Sequence, residues 1–100
     1  MGDTQPSVLL VTVEVAEDDV DELNRWYDEE HGPEKMSLPG YVGMRRFRRS
    51  DGSPRFLAIY ELTDPEAALG SQEMTPDSRQ RLQALMTKWK QWDRSVWVEL

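Results

Sequence analysis

The chain has 100 residues, of which 38% are hydrophobic, and a formal net charge of −7 at pH 7. This length and apolar content are typical of one globular domain. So acidic a net charge argues against binding to nucleic-acid phosphates, which requires a basic surface. The absence of cysteine excludes disulfides and thiolate chemistry.

The sequence indicates a cytoplasmic protein that is not inserted in a membrane. No apolar run approaches the roughly 20 residues that span a bilayer. The N-terminal residues lack the basic and apolar segments of a signal peptide. We expect residues 1–6 to form a disordered lead-in and residues 7–100 to form a single domain.

The first half of the chain predicts a strand and then an acidic helix. Residues 7–15 are β-branched and apolar at both odd and even positions (both parities), which is typical of a strand buried on both faces. The helix that follows is expected to run to about Glu30, where Gly32 and Pro33 interrupt it. Residues 34–38 can add one further turn.

Two strands are predicted next, over residues 41–49 and 54–62, joined by a hairpin. The dipeptide Asp51-Gly52 favours a two-residue type I′ turn between them. In that register one face of the hairpin is aromatic, with small residues at Gly43 and Ala58 that leave gaps between the rings. It carries Tyr41, Gly43, Arg45, Phe47, Phe56, Ala58 and Tyr60.

The last part of the chain predicts two helices and a strand. A short helix is expected from Pro65 to Gly70, then a polar loop over residues 71–75, and a longer helix that begins at Pro76. Side chains at helical spacing continue along that helix as Leu82, Leu85, Met86, Trp89 and Asp93. Residues 95–100 alternate as the final strand.

This order, β-α-β-β-α-β, predicts an α+β ferredoxin-like fold with a four-stranded antiparallel sheet. Two helices cover only one face of such a sheet, whereas the strands are apolar on both parities. An uncovered apolar face of several hundred Å² is unusual for a soluble monomer. We therefore expect a homodimer in which two sheets face each other as a dimeric α+β barrel.

Charge is unevenly distributed along the chain. Residues 14–34 carry ten acids and one base, whereas residues 45–55 carry five arginines and one acid. Two interpretations remain open: solvated surfaces of opposite sign, or pairing of the arginines with the acidic helix within a chain or across a dimer.

The only histidine lies on the apolar stripe of the first helix. On a helical wheel that stripe comprises Val20, Leu23, Asn24, Tyr27 and His31. One interpretation is a structural His31 and Asn24 that hydrogen-bond backbone groups near a helix end. The other is a pocket in which His31 titrates.

Three short stretches resemble a known family. They are Trp26-Tyr27, His31-Gly32-Pro33 and Leu38-Pro39-Gly40-Tyr41. With the element order, they are similar to the dimeric α+β barrel superfamily and, within it, to the EthD-like proteins, although Gly32 stands where a larger residue is expected. The resemblance implies a pocket between sheet and helices and a histidine that acts on a small organic molecule.

The resulting hypothesis is a cofactor-free enzyme of the dehydratase, cyclase, isomerase or lyase type. His31 would be the general acid or base on an apolar, aromatic or polyketide-like substrate, and Tyr27 would orient the imidazole ring or donate to an oxygen. Arg45 and Tyr60 would hold an enolate or carboxylate. The remaining candidates for the substrate pocket are Asn24, Trp26, Trp89 and Trp92.

Two alternatives stay open. One is a cofactor-independent monooxygenase that acts on an oxidisable phenol. Another is a non-catalytic binder of a small apolar ligand or of haem, with His31 as axial ligand. A mononuclear metal site of His31 with Asp28, Glu29 or Glu34 is disfavoured, because the acids lie on the outward arc of the helix.

Overall fold

The computed structural model describes residues 4–73 and 75–100. Its strands are β1 (Ser7–Val15), β2 (Tyr41–Arg48), β3 (Phe56–Leu62) and β4 (Trp89–Val98). They form one antiparallel sheet in the order β2-β3-β1-β4. The predicted four-stranded ferredoxin-like fold is thereby confirmed.

The ends of the chain depart slightly from the predicted bounds. Residues 1–3 of the expected lead-in lie outside the described residues, and the carbonyl of Pro6 accepts a hydrogen bond of 2.8 Å from the Glu99 N–H. The pairing of β1 with the last part of the chain therefore reaches Pro6.

The acidic helix continues through the point where an interruption was predicted. A short 3₁₀ turn (Glu17–Asp19) leads into α1 (Val20–Trp26), a π-helical turn (Tyr27–His31) and α2 (Gly32–Met36) without a break in helical backbone angles. The Gly32 N–H bonds the Tyr27 carbonyl, five residues earlier. Pro33 cannot donate such a bond and would collide with a carbonyl in a regular α-helix, so the wider turn accommodates it.

The second helical region is shorter than its apolar spacing predicted. A 3₁₀ helix (Pro65–Glu73) continues past Gly70 into the predicted polar loop, residue 74 lies outside the described residues, and α3 (Pro76–Met86) follows. Thr75 caps α3 by accepting from the Ser78 N–H. The predicted helical stripe is wrong beyond Met86, because Trp89 already begins β4.

The hairpin register also differs from the prediction. Arg46 pairs with Ala58 and Phe47 with Leu57, one position away from the two-residue-turn register. A longer loop replaces that turn: the Arg49 guanidinium binds the Asp51 carboxylate and the Ser53 carbonyl, each at 3.0 Å. The change of register turns Arg46 toward the helices and leaves Arg45 exposed.

The core lies between the sheet and the helices. Alternate residues of β1 and β3 face it, and Leu23, Trp26 and Tyr27 meet them from the helical side. The buried strand residues are Leu9, Val13, Val15, Phe56, Ala58, Tyr60 and Leu62. This in–out alternation places the opposite parity of the same strands on the outer face of the sheet.

The outer face is apolar and only partly shielded within the chain. It carries Val8, Leu10, Leu57 and Ile59 at its centre, with Phe47 and Trp97 nearer its edges. Trp97 is 59% exposed and Phe47 40% exposed. An apolar surface of this kind marks an interaction site in many proteins.

The acidic helix pairs mainly with the α3 region and only marginally with the arginine-rich hairpin. Glu30 bonds Arg81 at 2.5 Å and Glu22 bonds Lys88 at 2.8 Å. From the hairpin side, Arg55 binds Glu14 and Glu17, each at 2.8 Å, and both acids precede α1. Among the described residues, no helix is both long and apolar enough to cross a membrane.

The π turn gives a prediction for Gly32→Ala. An added Cβ would lie 2.6 Å from the Tyr27 carbonyl oxygen and 3.2 Å from the Met44 side chain. The overlap should cost about 1–3 kcal/mol, which exceeds the gain of up to about 1 kcal/mol that alanine brings to a helix. We expect a net loss of stability in urea unfolding.

Gly43→Ala is the matched control. Its Cβ would meet the Glu61 carboxylate at 2.7 Å, the movable end of an exposed side chain. This variant should lose less stability than Gly32→Ala. Equal stabilities for Gly32→Ala and the unmodified protein would contradict the proposed role of the close contact.

Candidate functional site

A cavity of about 170 Å³ lies between the inner face of the sheet and the helices. Its aromatic walls are Trp89 and Trp92 from β4, together with the rings of Tyr27 and Tyr60. Leu9, Val11, Leu82 and Met86 complete the apolar lining. The side chains of the basic residue types reach the same space as well: His31, Lys35 and Arg94.

His31 is held inward by an aromatic stack. Its ring lies parallel to that of Trp26, with centroids 4.1 Å apart and planes at 15°, and only 8% of the residue is exposed. Tyr27 and Tyr60 meet the imidazole edge-on at 5.5 and 6.4 Å. The Nδ1 atom has no hydrogen-bond partner among the described residues, so the stack positions the ring while leaving a polar atom available.

This environment keeps the imidazole neutral. Burial, together with the nearby positive charge of Lys35, lowers the pKa of His31 to about 3. The expectation that His31 titrates near neutral pH is therefore wrong for this chain. At physiological pH the ring can donate from one nitrogen and accept at the other, but it is a weak base.

The two cavity tyrosines are un-ionised at any physiological pH. Burial raises the pKa of Tyr27 to about 12, and burial also raises the pKa of Tyr60, which is 1% exposed. The two phenols lie close enough to influence each other's pKa, yet the Tyr60 hydroxyl makes no hydrogen bond of ordinary geometry with the described residues. Both hydroxyls can act as donors.

Lys35 is the least expected member of the site. It lies on α2, one turn after His31, and is only 5% exposed. Burial, and then the charge of Arg94, lower the pKa of Lys35 to about 8, whereas Glu34 opposes the shift. Its ammonium lies 5.6 Å from the centroid of the Tyr41 ring.

Arg94 completes the polar end of the cavity from β4. It is exposed, whereas Lys35 is buried, so it stands at the mouth. Its Nη2 donates to the Ala68 carbonyl at 2.8 Å, which fixes the guanidinium beside the 3₁₀ helix. The arrangement offers two cations, two phenols and one neutral imidazole around an aromatic space.

Neither a protein-family model nor a curated protein matches the sequence. Solved structures match its fold. A proposed antibiotic biosynthesis monooxygenase from Nitrosomonas europaea superposes with a TM-score of 0.78 at 14% identity, over 100% of this chain and 95% of that one. An EthD family protein from Bacillus halodurans gives 0.65 at 20% identity, over 95% and 99% of the two chains.

A third similar structure is that of a haem-degrading protein from Mycobacterium tuberculosis with two haems bound in its active site. It gives a TM-score of 0.63 at 17% identity, over 94% of this chain and 95% of that one. The chain has the ferredoxin-like α+β fold of these proteins. The resemblance found in the sequence is thus confirmed at the level of the fold.

Within this fold, the structure brings together five of the residues predicted for the site: Tyr27, His31, Tyr60, Trp89 and Trp92. Trp26 lies behind the imidazole, as its stacking partner, and Asn24 does not line the cavity. Arg45 was assigned to the wrong face of β2. Its neighbour Arg46 points inward instead, with its Cζ 4.2 Å from the Tyr27 ring centroid.

Lys35 and Arg94 were missed, although the sequence holds a signal for each. Lys35 follows His31 by four residues, which places it on the same helical face once the helix is continued through Pro33. If the last strand begins before the predicted residue 95, Arg94 lies on the same face of that strand as Trp92 and Val96. Among the described residues, no group of three His, Asp or Glu side chains is placed to hold a metal ion.

The burial of His31 gives a prediction for stability against pH. The pKa in the folded state, about 3, is below the ordinary value of 6.5, so the unfolded chain binds the proton more tightly. The contribution of the neutral His31 to the free energy of unfolding is therefore complete above pH 6.5. It is lost as the pH falls toward 3, at about 1.4 kcal/mol per pH unit.

His31→Phe isolates this effect, because it keeps the stack on Trp26 and removes the titrating nitrogens. Urea unfolding of both proteins should be measured at equal concentration between pH 7 and pH 5. The unmodified protein should lose stability relative to His31→Phe as the pH falls. Parallel curves over that range would show that the imidazole is not held neutral.

Proposed function

We propose that the protein is a small cofactor-independent oxygenase that oxidises an electron-rich phenol. The observation that carries the proposal is the aromatic cavity in which a neutral imidazole, un-ionised phenols and a buried ammonium converge. The fold that it shares with a proposed antibiotic biosynthesis monooxygenase supports the same class of reaction. Fold alone does not select a chemistry, whereas the residues of the site restrict it.

The reaction can be balanced without a further reductant. A phenol with a free para position reacts with one O₂: the para C–H becomes C=O, the phenolic C–OH becomes C=O, and the second oxygen atom leaves as water. Both hydrogens lost by the phenol end in that water. The substrate itself supplies all the electrons that reduce O₂.

The chain's own residues would act on the proton and on the developing charge. Lys35, with a pKa of about 8, is un-ionised in a fraction of molecules near neutral pH and can accept the phenolic proton. Its ammonium and Arg94 then stabilise the electron-rich phenolate. His31 and the hydroxyl of Tyr60 would donate hydrogen bonds to reduced oxygen.

Acid–base catalysis without oxygen is the second candidate. The same environment pushes the pKa values of two neighbouring groups apart, to about 3 for His31 and about 8 for Lys35. Pairs of this kind often divide the roles of acid and base. A lyase, cyclase or isomerase would use Lys35 as the base, and its turnover would not depend on O₂.

A haem-binding function is less well supported. The cavity of about 170 Å³ is smaller than the roughly 300–1,000 Å³ of pockets that hold drug-sized ligands. The imidazole of His31 is covered on one face by Trp26 and is approached edge-on by two tyrosines. The residues around His31 do not leave room for a porphyrin ring.

We also propose that a second copy covers the outer face of the sheet. The central residues of that face are aliphatic, and Trp97 and Phe47 extend the apolar surface toward its edges. A two-fold arrangement would bury the same patch on both chains. The described cavity residues all lie on the opposite side, so each chain would keep its own site.

Oxygen consumption tests the oxygenase proposal. The protein should consume O₂ and form quinone with a single-ring phenol whose para position is free, and it should be inactive without oxygen. His31→Phe should lower the rate by roughly 10²–10³-fold, the usual effect of losing one donor to developing oxygen charge. Glu29→Gln, on the exposed side of the helix, is the control and should retain the rate.

Two results would contradict this proposal. One is turnover that proceeds equally well without O₂, which would favour the acid–base candidate. The other is an unchanged rate in a folded His31→Phe variant. Incorporation of one atom from ¹⁸O₂ into the quinone gives an independent readout of the same reaction.

Ile59→Asp tests the proposed dimer. A buried unpaired carboxylate is strongly unfavourable, so this substitution at the centre of the outer face should yield monomers in analytical ultracentrifugation. Met36→Glu changes an exposed apolar residue on α2 and should leave the oligomeric state unchanged. A monomeric unmodified protein, or a dimeric Ile59→Asp variant, would contradict the proposal.

A further inference from the structure

The polar end of the cavity is cationic, although the chain as a whole is acidic. Lys35 and Arg94 reach the cavity, and among the described residues no carboxylate lines it. The formal net charge of the chain is −7. A local excess of positive charge in an acidic protein indicates a function for the two cations beyond solubility.

Lys35 is buried without a counter-ion. The residue is 5% exposed, and it forms no ion pair with any carboxylate of the described part of the chain. Glu34, the acid nearest in sequence, accepts a hydrogen bond from the Ser78 hydroxyl. Burying an ammonium without a partner is costly, and such groups are usually paired.

The other groups around Lys35 do not neutralise it. His31 and Tyr60 share its cavity, the Tyr41 ring lies beside its ammonium, and Arg94 adds a second positive charge. The phenols are neutral and the imidazole is neutral. None of these groups carries a negative charge, and Glu34 acts on Lys35 only through space, so a bound anion would complete the charge balance at this end of the cavity.

The size and walls of the cavity restrict that anion. A cavity of roughly 150 Å³ with apolar walls is enough to hold a benzene ring, and this one measures about 170 Å³. Trp89 and Trp92 supply flat apolar surfaces on which a ring can stack. Its open end carries the guanidinium of Arg94, which can bind two oxygens of one oxyanion side by side.

We propose that the cavity binds a single-ring aromatic molecule through a ring-bound oxyanion, carboxylate or phenolate, held between Lys35 and Arg94. This assignment rests on the proposed function, because it names the substrate class of the same site. It adds that charge at one end of the ring, and not apolar fit alone, selects the substrate.

Isothermal titration calorimetry with three single-ring probes tests the proposal. Benzoate supplies a carboxylate, 4-nitrophenol supplies a phenolate at pH 8, and benzyl alcohol is a neutral control of similar size. Benzoate, 4-nitrophenolate or both should bind at least tenfold more tightly than benzyl alcohol. Which of the anions binds identifies the source of the oxyanion. Equal affinities for all three, or no binding of either anion, would overturn the proposal.

Lys35→Met should remove the preference for anions while keeping the apolar volume of the side chain. Lys90→Met, at an exposed lysine of β4, is the matched control and should leave every affinity unchanged. Circular dichroism checks that both variants fold. If Lys35→Met is unfolded, Arg94→Met at the exposed mouth gives the same test, with a loss of anion preference expected and an unchanged preference overturning the proposal.

The pH dependence provides an independent readout. Benzoate stays ionised from pH 6.5 to pH 9.5, the buried phenols remain protonated and His31 remains neutral. Affinity for benzoate should therefore fall as the Lys35 ammonium loses its proton, by up to about tenfold per pH unit above a pKa of about 8. A pH-independent affinity would remove Lys35 from the anion site.

These measurements separate the two proposals. Binding requires no turnover, so selective binding of an anion without O₂ consumption would refute the oxygenase and leave the anion site standing. Oxygen consumption together with equal binding of neutral and charged probes would refute the anion site and leave the oxygenase proposal standing.

Discussion

The bond from the Gly32 N–H to the Tyr27 carbonyl is the local constraint on which the site depends. It closes a helical turn wide enough to pass Pro33 without ending the helix. Because the helix continues, His31 and Lys35 follow each other on one inward face. A helix that ended at Glu30 would have placed Lys35 on an independent turn, with no fixed relation to the imidazole.

That geometry determines the electrostatics of the cavity. Burial disfavours the charged forms of both His31 and Lys35. The charge of Lys35 further disfavours a charged His31, and the charge of Arg94 further disfavours a charged Lys35. The result is a neutral imidazole beside an ammonium whose pKa is close to physiological pH. Glu22 of α1 and Glu30 of the π-helical turn do not cancel this charge, since they are paired on the surface with Lys88 and Arg81.

The sequence was sufficient for the element order, because apolar β-branched runs, helical spacing and turn residues mark the successive strands and helices. It was insufficient for β2, where the loop is held by contacts of the Arg49 side chain, which no local turn signal encodes. A loop that differs from the expected length shifts the register and exchanges the two faces. That exchange replaced Arg45 with Arg46 on the inner side.

The two missed cations share a cause. Trp89 and Trp92 are three residues apart, a spacing that suits a helical face, and a short apolar segment of this kind does not distinguish helix from strand. Assigning them to a helix hid the parity that brings Arg94 inward. Likewise, a proline usually ends a helix, so Lys35 was placed beyond the helix end. Both errors arose where a local rule is overridden by packing against the sheet.

The sheet links the two faces of the molecule. Along β1, Leu9 and Val11 line the cavity, while Val8 and Leu10 lie on the outer face. A partner on the outer face would therefore contact the backbone that forms the cavity floor, without contributing a side chain to the described lining. Association could then alter the site only by restraining the strands. The chemistry of the cavity, including the charge that Lys35 brings to it, belongs to the single chain.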